Sequence, residues 1–201
     1  MRTIRLHDHN GGEVGELLAS MIEGGGIMVY PTDTVYGVGC RADDGDAIAR
    51  LRDLTQKYHP LTVLVNSMAD IESNCEVPDY AYAFLKKLPG PLTVILKTKG
   101  LPWVHKSILG PNMSLGLRYI GHPIQKIVES FRYPIITTSA NLNGEPTISD
   151  VAHLPLALSI GVDVVIDAGI LGGKPSTIID CTGDEPIVLR GDTESYTATT
   201  K

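Results

Sequence analysis

Gly26-Ile27-Met28-Val29-Tyr30-Pro31-Thr32-Asp33-Thr34-Val35-Tyr36-Gly37-Val38-Gly39-Cys40 reads as strand, polar turn, strand. Residues 27–30 and 35–40 are short apolar runs rich in β-branched and aromatic side chains, the composition of buried strands. Pro31 fixes the backbone as it leaves the first strand. Thr32, Asp33 and Thr34 then offer two hydroxyls and a carboxylate side by side. Gly37 and Gly39 leave room for backbone or ligand to approach closely. As a purely local motif, the same turn is a polar hairpin between two core strands.

The pattern extends in both directions. Upstream, Val14, Leu17, Leu18, Met21 and Ile22 fall at helical spacing, with Asn10 and Glu13 as a capping pair and Gly24-Gly25-Gly26 as the stop. Downstream, helices are expected over 47–54, around Ala81, Phe84, Leu85 and Leu88, and around Ile124, Ile127, Val128 and Phe131. Strands are expected at 61–65, 92–96, 115–118, 135–138, 162–166, 177–180 and 187–190. Several are apolar throughout, as strands covered on both faces are. Some links are too short for parallel crossovers, so the fold class is α/β: a single domain with a twisted, open, mixed sheet flanked by helices. The domain is assigned to 1–192, and the polar, Thr-rich 193–201 to a C-terminal tail.

Composition agrees with this fold. The chain has 201 residues and 21.6 kDa, with 43% apolar and 20% charged residues, enough to bury a core without staples. No apolar run approaches the roughly 18–20 residues of a membrane helix. The opening MRTIRLHDHNGGEVGE lacks the apolar core of a secretion signal. A soluble, cytoplasmic protein without membrane partners is expected. Cys40, Cys75 and Cys181 are far apart, odd in number and without a CxxC, which points to buried free thiols.

The formal charge of −6 argues against a protein that coats nucleic acid over its whole surface. Its distribution is uneven. Residues 80–128 contain no Asp or Glu and hold Lys86, Lys87, Lys97, Lys99, Lys106, Arg118 and Lys126, giving +7 there and −13 elsewhere. That asymmetry suits an anionic ligand, phosphate or RNA, and equally a solvated basic face.

Candidate chemistry clusters at strand ends, where ligands of open α/β sheets bind. Pro134-Ile135-Ile136 runs into Thr137-Thr138-Ser139-Ala140-Asn141-Leu142-Asn143-Gly144-Glu145-Pro146-Thr147. Such hydroxyls and amides donate to phosphate or carboxylate oxygens, or close their own turns. Arg118 ends an apolar strand, where a guanidinium needs a carboxylate from Asp33 or from a substrate. Lys174-Pro175-Ser176-Thr177-Ile178-Ile179-Asp180 and Leu189-Arg190-Gly191-Asp192 are weaker motifs of the same kind. The sequence contains no GxxxxGK[ST], HExxH or GxSxG, no GxGxxG at a strand–helix junction, and no metal-like histidine spacing.

These segments, in this order, resemble the YrdC-like family of threonylcarbamoyl-adenylate synthases. The resemblance rests on Pro-Thr-Asp-Thr-Val-Tyr-Gly at 31–37, Pro-Gly-Pro-Leu-Thr at 89–93 and Gly-x-Arg at 116–118. It continues through Pro-Ile-x-x-x-Ser-Ala-Asn at 134–141, Ser-Thr-Ile-Ile-Asp at 176–180 and Leu-Arg-Gly at 189–191. It implies an α/β sheet around a concave, positively charged cleft. It also implies a nucleotidyltransferase that condenses L-threonine, bicarbonate and ATP into threonylcarbamoyl-AMP and pyrophosphate. That product serves tRNA threonylcarbamoyladenosine modification.

Carried over by position, Thr32, His59, Arg118, Thr138 and Ser176 hold threonine. Ser114, Ser139, Asn141, Thr147 and Arg190 face ATP, and Mg²⁺ accompanies the ATP without an assigned protein ligand. The resemblance implies no covalent nucleophile. The chain departs from the family's Lys-x-Arg phosphate motif, with Asp53 and Thr55 at those positions. Arg52 and Lys57 are the nearby cations that can stand in, and Arg-x-Leu here resembles the YciO branch. The alternative reading is a tRNA- or double-stranded-RNA-binding protein with little or no synthase activity.

Overall fold

The computed structural model describes residues 2–5, 11–100 and 103–191. The expected capping residue Asn10, the histidines His7 and His9, and the 193–201 segment lie outside these. In chain order the elements are β1 (Arg2–Arg5), α1 (Gly11–Glu23), β2 (Met28–Tyr30), β3 (Gly37–Gly39), α2 (Gly45–Thr55), β4 (Thr62–Leu64), α3 (Met68–Asn74) and β5 (Cys75–Glu76). They continue with α4 (Tyr82–Leu85), β6 (Leu92–Thr98), β7 (Ser114–Arg118), α5 (Ile124–Val128), β8 (Ile135–Ser139), α6 (Leu156–Gly161), β9 (Val164–Asp167), β10 (Thr177–Asp180) and β11 (Ile187–Arg190). Every strand expected from the sequence is present. The strand expected at 162–166 begins two residues later, because Val162 caps α6. The sequence patterns did not point to β1, β5, α3 or α6.

Local signals account for the boundaries. After α1, Gly24, Gly25 and Gly26 donate backbone N–H groups to Ser20, Ile22 and Met21 carbonyls. Gly25 does so at φ 78°, which a glycine adopts without strain. Asp44 caps α2 by accepting from Asp46 N and Ala47 N. Ser67 and Asp70 form a reciprocal capping box on α3.

The strands make one mixed, twisted sheet in the order β1-β9-β2-β3-β8-β4-β7-β6-β10-β11, with β5 alongside the distal part of β6. Strand β8 is central and runs antiparallel to both β3 and β4. Alternate residues then face opposite sides. Val29, Val38, Val63, Ile136, Val94, Leu96, Leu115 and Leu117 enter one core cluster together with Ile48 and Leu51 of α2. Met28, Tyr30, Leu64, Ile135, Val164 and Ile166 enter another, with Leu18 and Ile22 of α1 and Ile124 and Val128 of α5. The second face is covered by helices over β9, β2 and the Leu64 and Ile135 ends of β4 and β8, and is open at Gly37, Thr62 and Thr137. Over β7 and β6 the same face carries Ser114, Gly116, Arg118, Thr93 and Ile95, which line a cavity. Cys40, Cys75 and Cys181 are free and buried as expected, and burial pushes each thiol up to about 12. Among the described residues no helix is long and apolar enough to cross a membrane.

Close packing of β3 on β8 depends on Gly39, where an added Cβ would sit 1.7 Å from Ile136 O. Gly39→Ala is expected to destabilise the fold by about 1–3 kcal/mol or more. Gly172→Ala, with nothing within 4 Å of its Cβ, should stay within about 0.5 kcal/mol of the parent. Urea denaturation of both variants checks this.

Candidate active site

The uncovered sheet face is the floor of a cavity of about 590 Å³. Turn 31–36 closes one side, the segment after β8 another, and 175–176 with Leu189 and Arg190 a third. Of the residues carried over from the resemblance, Thr32, Lys57, His59, Ser114, Arg118, Thr138, Ser139, Asn141, Thr147, Ser176 and Arg190 all line it. Arg52 does not.

Arg118 is 7% exposed. Its Nη2 donates to Asp33 Oδ1 at 2.5 Å and to Thr34 Oγ1 at 3.4 Å. Asp33 Oδ2 accepts from Gly121 N at 3.0 Å, which fixes the carboxylate. Burial pulls the guanidinium pKa down and Asp33 opposes that shift. Nη1 and Nε make no hydrogen bond among the described residues, and Nε is fully buried. The protein thus engages one of the three guanidinium nitrogens, and the group still lines the cavity. Thr32 is tied into its own turn: Oγ1 donates to Val35 O at 2.7 Å, lies 2.8 Å from Thr34 Oγ1 and accepts from Thr34 N. Both sequence readings of this turn hold, since it satisfies itself and also walls the cavity.

Lys57 is the least conventional group. It is 4% exposed and makes no ion pair among the described residues. Its ammonium donates to Ser139 O and Asn141 Oδ1 at 2.8 Å each, to Ser139 Oγ at 3.0 Å and to Thr138 Oγ1 at 3.3 Å. The Asn141 amide is oriented by Nδ2 bonds to Leu142 O and Glu145 O. Burial lowers the Lys57 pKa to about 8. The end of β8 therefore holds a cation surrounded by neutral oxygens, an arrangement that attracts an anion from the cavity side.

Two turns build the remaining edge. Gln56 adopts a left-handed conformation, φ 56° and ψ 30°, that ends α2 and turns Lys57 inward. Arg52 acts from outside: Nη1 donates to Lys57 O and His59 O at 2.8 and 3.0 Å, and Nη2 to Ser107 O at 2.7 Å. The expectation that Arg52 faces ATP is corrected accordingly, because its guanidinium binds backbone carbonyls. Asp53 and Thr55 are also outside the cavity. Asp53 accepts from Tyr58 OH, and Thr55 Oγ1 donates to Leu51 O.

Ser176 Oγ lies 2.9 Å from Thr93 Oγ1, and Arg190 donates to Ser176 O from Nε and Nη2. Sequence reasoning did not assign Thr93, Glu145 or Asp180, which also line the cavity. The period-two alternation of β6 and β10 was the signal for Thr93 and Asp180. The lining carries Lys57, Arg118 and Arg190 against Glu145 and Asp180. Of the seven cations in the acid-free stretch 80–128, Arg118 alone reaches this cavity among the described residues.

Fold and site together define an α/β protein whose cavity lies on an uncovered sheet face and is ringed by hydroxyls and buried cations. The family model for Sua5, YciO and YrdC proteins, described as "Telomere recombination", matches residues 20–191, and the chain belongs to that family. The uncharacterized protein YciO of Escherichia coli K12 is 34% identical over 185 residues, covering 88% of this chain and 89% of that protein. The threonylcarbamoyl-AMP synthase of Pyrococcus abyssi is 32% identical over 181 residues, covering 87% of this chain and 52% of that protein. Among solved structures, P. abyssi Sua5 complexed with L-threonine superposes with a TM-score of 0.84 at 29% identity, covering 94% of this chain and 56% of that one. E. coli YciO superposes with the same TM-score at 28% identity, covering 97% and 98%. The chain spans about half the length of the P. abyssi protein.

The Arg52 clamp gives a test of the site's edge. Arg52→Met removes three bonds to carbonyls in two loops and is expected to cost about 1–2 kcal/mol in urea denaturation. Backbone amide exchange should quicken at 57–59 and 105–109 while β8 is unaffected.

Proposed function

We propose that the chain is a threonylcarbamoyl-AMP synthase-like nucleotidyltransferase that joins L-threonine, bicarbonate and ATP. The observation that carries the reading is the Lys57–Ser139–Asn141 cluster in the same cavity as the partly satisfied Arg118 guanidinium. One cation suits a phosphate and the other a carboxylate. The threonine-bound relative with the same fold supports the amino-acid half of the reading. Lys57 also restores a cation where the family's Lys-x-Arg pair is missing.

In this reading Arg118 pairs with threonine's carboxylate, with Thr32, His59, Thr138 and Ser176 around the amino acid. Lys57, Ser114, Ser139, Asn141, Thr147 and Arg190 face the nucleotide. Threonine's ammonium gives up one proton, and the resulting amine and bicarbonate give a carbamate and water. A carbamate oxygen then attacks the α-phosphorus of ATP. The P–O bond between α and β phosphates breaks, and pyrophosphate leaves. The residues act by positioning and by electrostatic stabilisation of phosphate charge. Among the described residues no group of three or more His, Cys, Asp or Glu side chains converges as a metal site. Asp180 and Glu145 are the lining carboxylates that would be available to a Mg²⁺ carried in by ATP phosphates, since such ions take one or two carboxylates. When bound, that ion neutralises phosphate charge. The product would supply transfer of threonylcarbamoyl to tRNA adenosine.

The direct test is pyrophosphate release from ATP that requires both threonine and bicarbonate. Its absence, together with tight double-stranded-RNA binding at moderate salt, overturns the reading. Arg118→Lys keeps the charge beside Asp33 and loses the planar fork, so KM for threonine should rise at least tenfold with little change for ATP. Loss of the cation in Arg118→Met should cost threonine about 2–5 kcal/mol of binding. Lys57 carries its charge below about pH 8 and loses it above. ATP affinity, measured calorimetrically, should therefore fall as pH rises through that value, and Lys57→Met should remove this dependence.

A further inference from the structure

A second cavity, of about 360 Å³, lies on the far side of the 109–114 segment. Gly110, Pro111 and Ser114 of this segment line the main cavity, whereas Leu109 and Met113 line the second. The segment is thus a wall common to both. It carries two successive left-handed residues, Asn112 at φ 55° and Met113 at φ 59°, a conformation that costs non-glycine residues energy and recurs at ligand clamps. Met113 is also 48% exposed.

The lining has two chemistries. Trp103, Val104, Leu109 and Met113 provide an apolar slot with one indole and one thioether, the usual partners of a flat aromatic ring. The polar groups on the same cavity are mixed, and Asn74, whose Nδ2 donates to Asp70 O, contributes an amide oxygen as an acceptor. Lys106 is exposed and has no ion pair among the described residues. Thr98 Oγ1 is buried without a hydrogen-bond partner. His105 Nδ1 accepts from Ser107 N, which leaves Nε2 to carry the ring proton. The one lining carboxylate, Asp43, is engaged at both oxygens by Arg41, at 2.9 and 2.8 Å. The uncommitted charge at the cavity is therefore positive. Its volume falls in the range of small-ligand sites.

We propose that this cavity is a second binding site, for a small aromatic carboxylate, whose ring lies against Trp103 and Met113 and whose carboxylate faces Lys106. The inference is independent of what the main cavity binds. Trp103 is the chain's single tryptophan, so its emission reports on the site directly.

Benzoate is the probe, and benzamide is its neutral counterpart. Titration of the intact chain with benzoate should shift Trp103 emission saturably. It should also move the Met113 methyl resonance in protein labelled at its methionine methyls, which distinguishes this cavity from benzoate bound at Arg118. Benzamide should bind about fivefold more weakly, as loss of one exposed charge contact implies. Lys106→Met, a surface change that should leave the melting temperature intact, should erase the difference between the two probes. The proposal is overturned if neither probe gives a saturable change, or if Trp103 responds while Met113 does not. It is equally overturned if benzamide binds as tightly as benzoate, or if the preference survives Lys106→Met in folded protein.

Discussion

A β-strand must satisfy two environments at once, because successive side chains leave its opposite faces. In β6 and β7 those environments differ most. Val94, Leu96, Leu115 and Leu117 are fully buried in the core, while Thr93, Ile95, Ser114, Gly116 and Arg118 form the cavity floor. The helices α1 and α5 cover the same face farther along the sheet. Gly116 keeps the floor low, since a Cβ there would meet Thr62 Oγ1 at 2.6 Å. The polar groups of the site are held by the same ladders that hold the core, which gives them the rigidity that positioning chemistry needs.

The two buried cations illustrate different solutions to one electrostatic problem. Removing a charge from water costs several kcal/mol even after relaxation. Arg118 is compensated by a fixed carboxylate in the turn after β2. Lys57 is compensated by a carbonyl, an amide oxygen and two hydroxyls, none of them charged. The first arrangement is close to neutral before a ligand arrives. The second leaves net positive charge in a dry setting. Burying that charge without a carboxylate costs stability at the end of β8.

Much of this was legible in the sequence, and the parts that were not have physical reasons. Apolar runs identified the central strands because those are buried on both faces. Strand β1 buries only Ile4 of its four residues, and β5 is two residues defined by pairing with β6. Neither has a pattern of its own. Helix α6 leaves Leu156 and Ile160 more than 70% exposed, so its apolar residues do not mark a buried stripe. Helix α3 did carry a readable signal in Ser67 and Asp70. The residues singled out in the strand-end motifs line the cavity. The choice between Arg52 and Lys57 was not readable, because it turns on the left-handed Gln56. Gln56 ends α2 in that conformation just before Lys57, and a glutamine gives no hint of it.

The strict alternation in β7 also limits how this protein can change over evolutionary time. Inserting or deleting one residue within Ser114–Arg118 would exchange the two faces of the strand. Leucines would then carpet the ligand chamber, and the guanidinium would be driven among aliphatic side chains. Point substitutions and loop-length variation are open routes to new specificity, but indels within these strands are not. Divergent lineages built on this scaffold would then keep strand lengths fixed even where little else is shared.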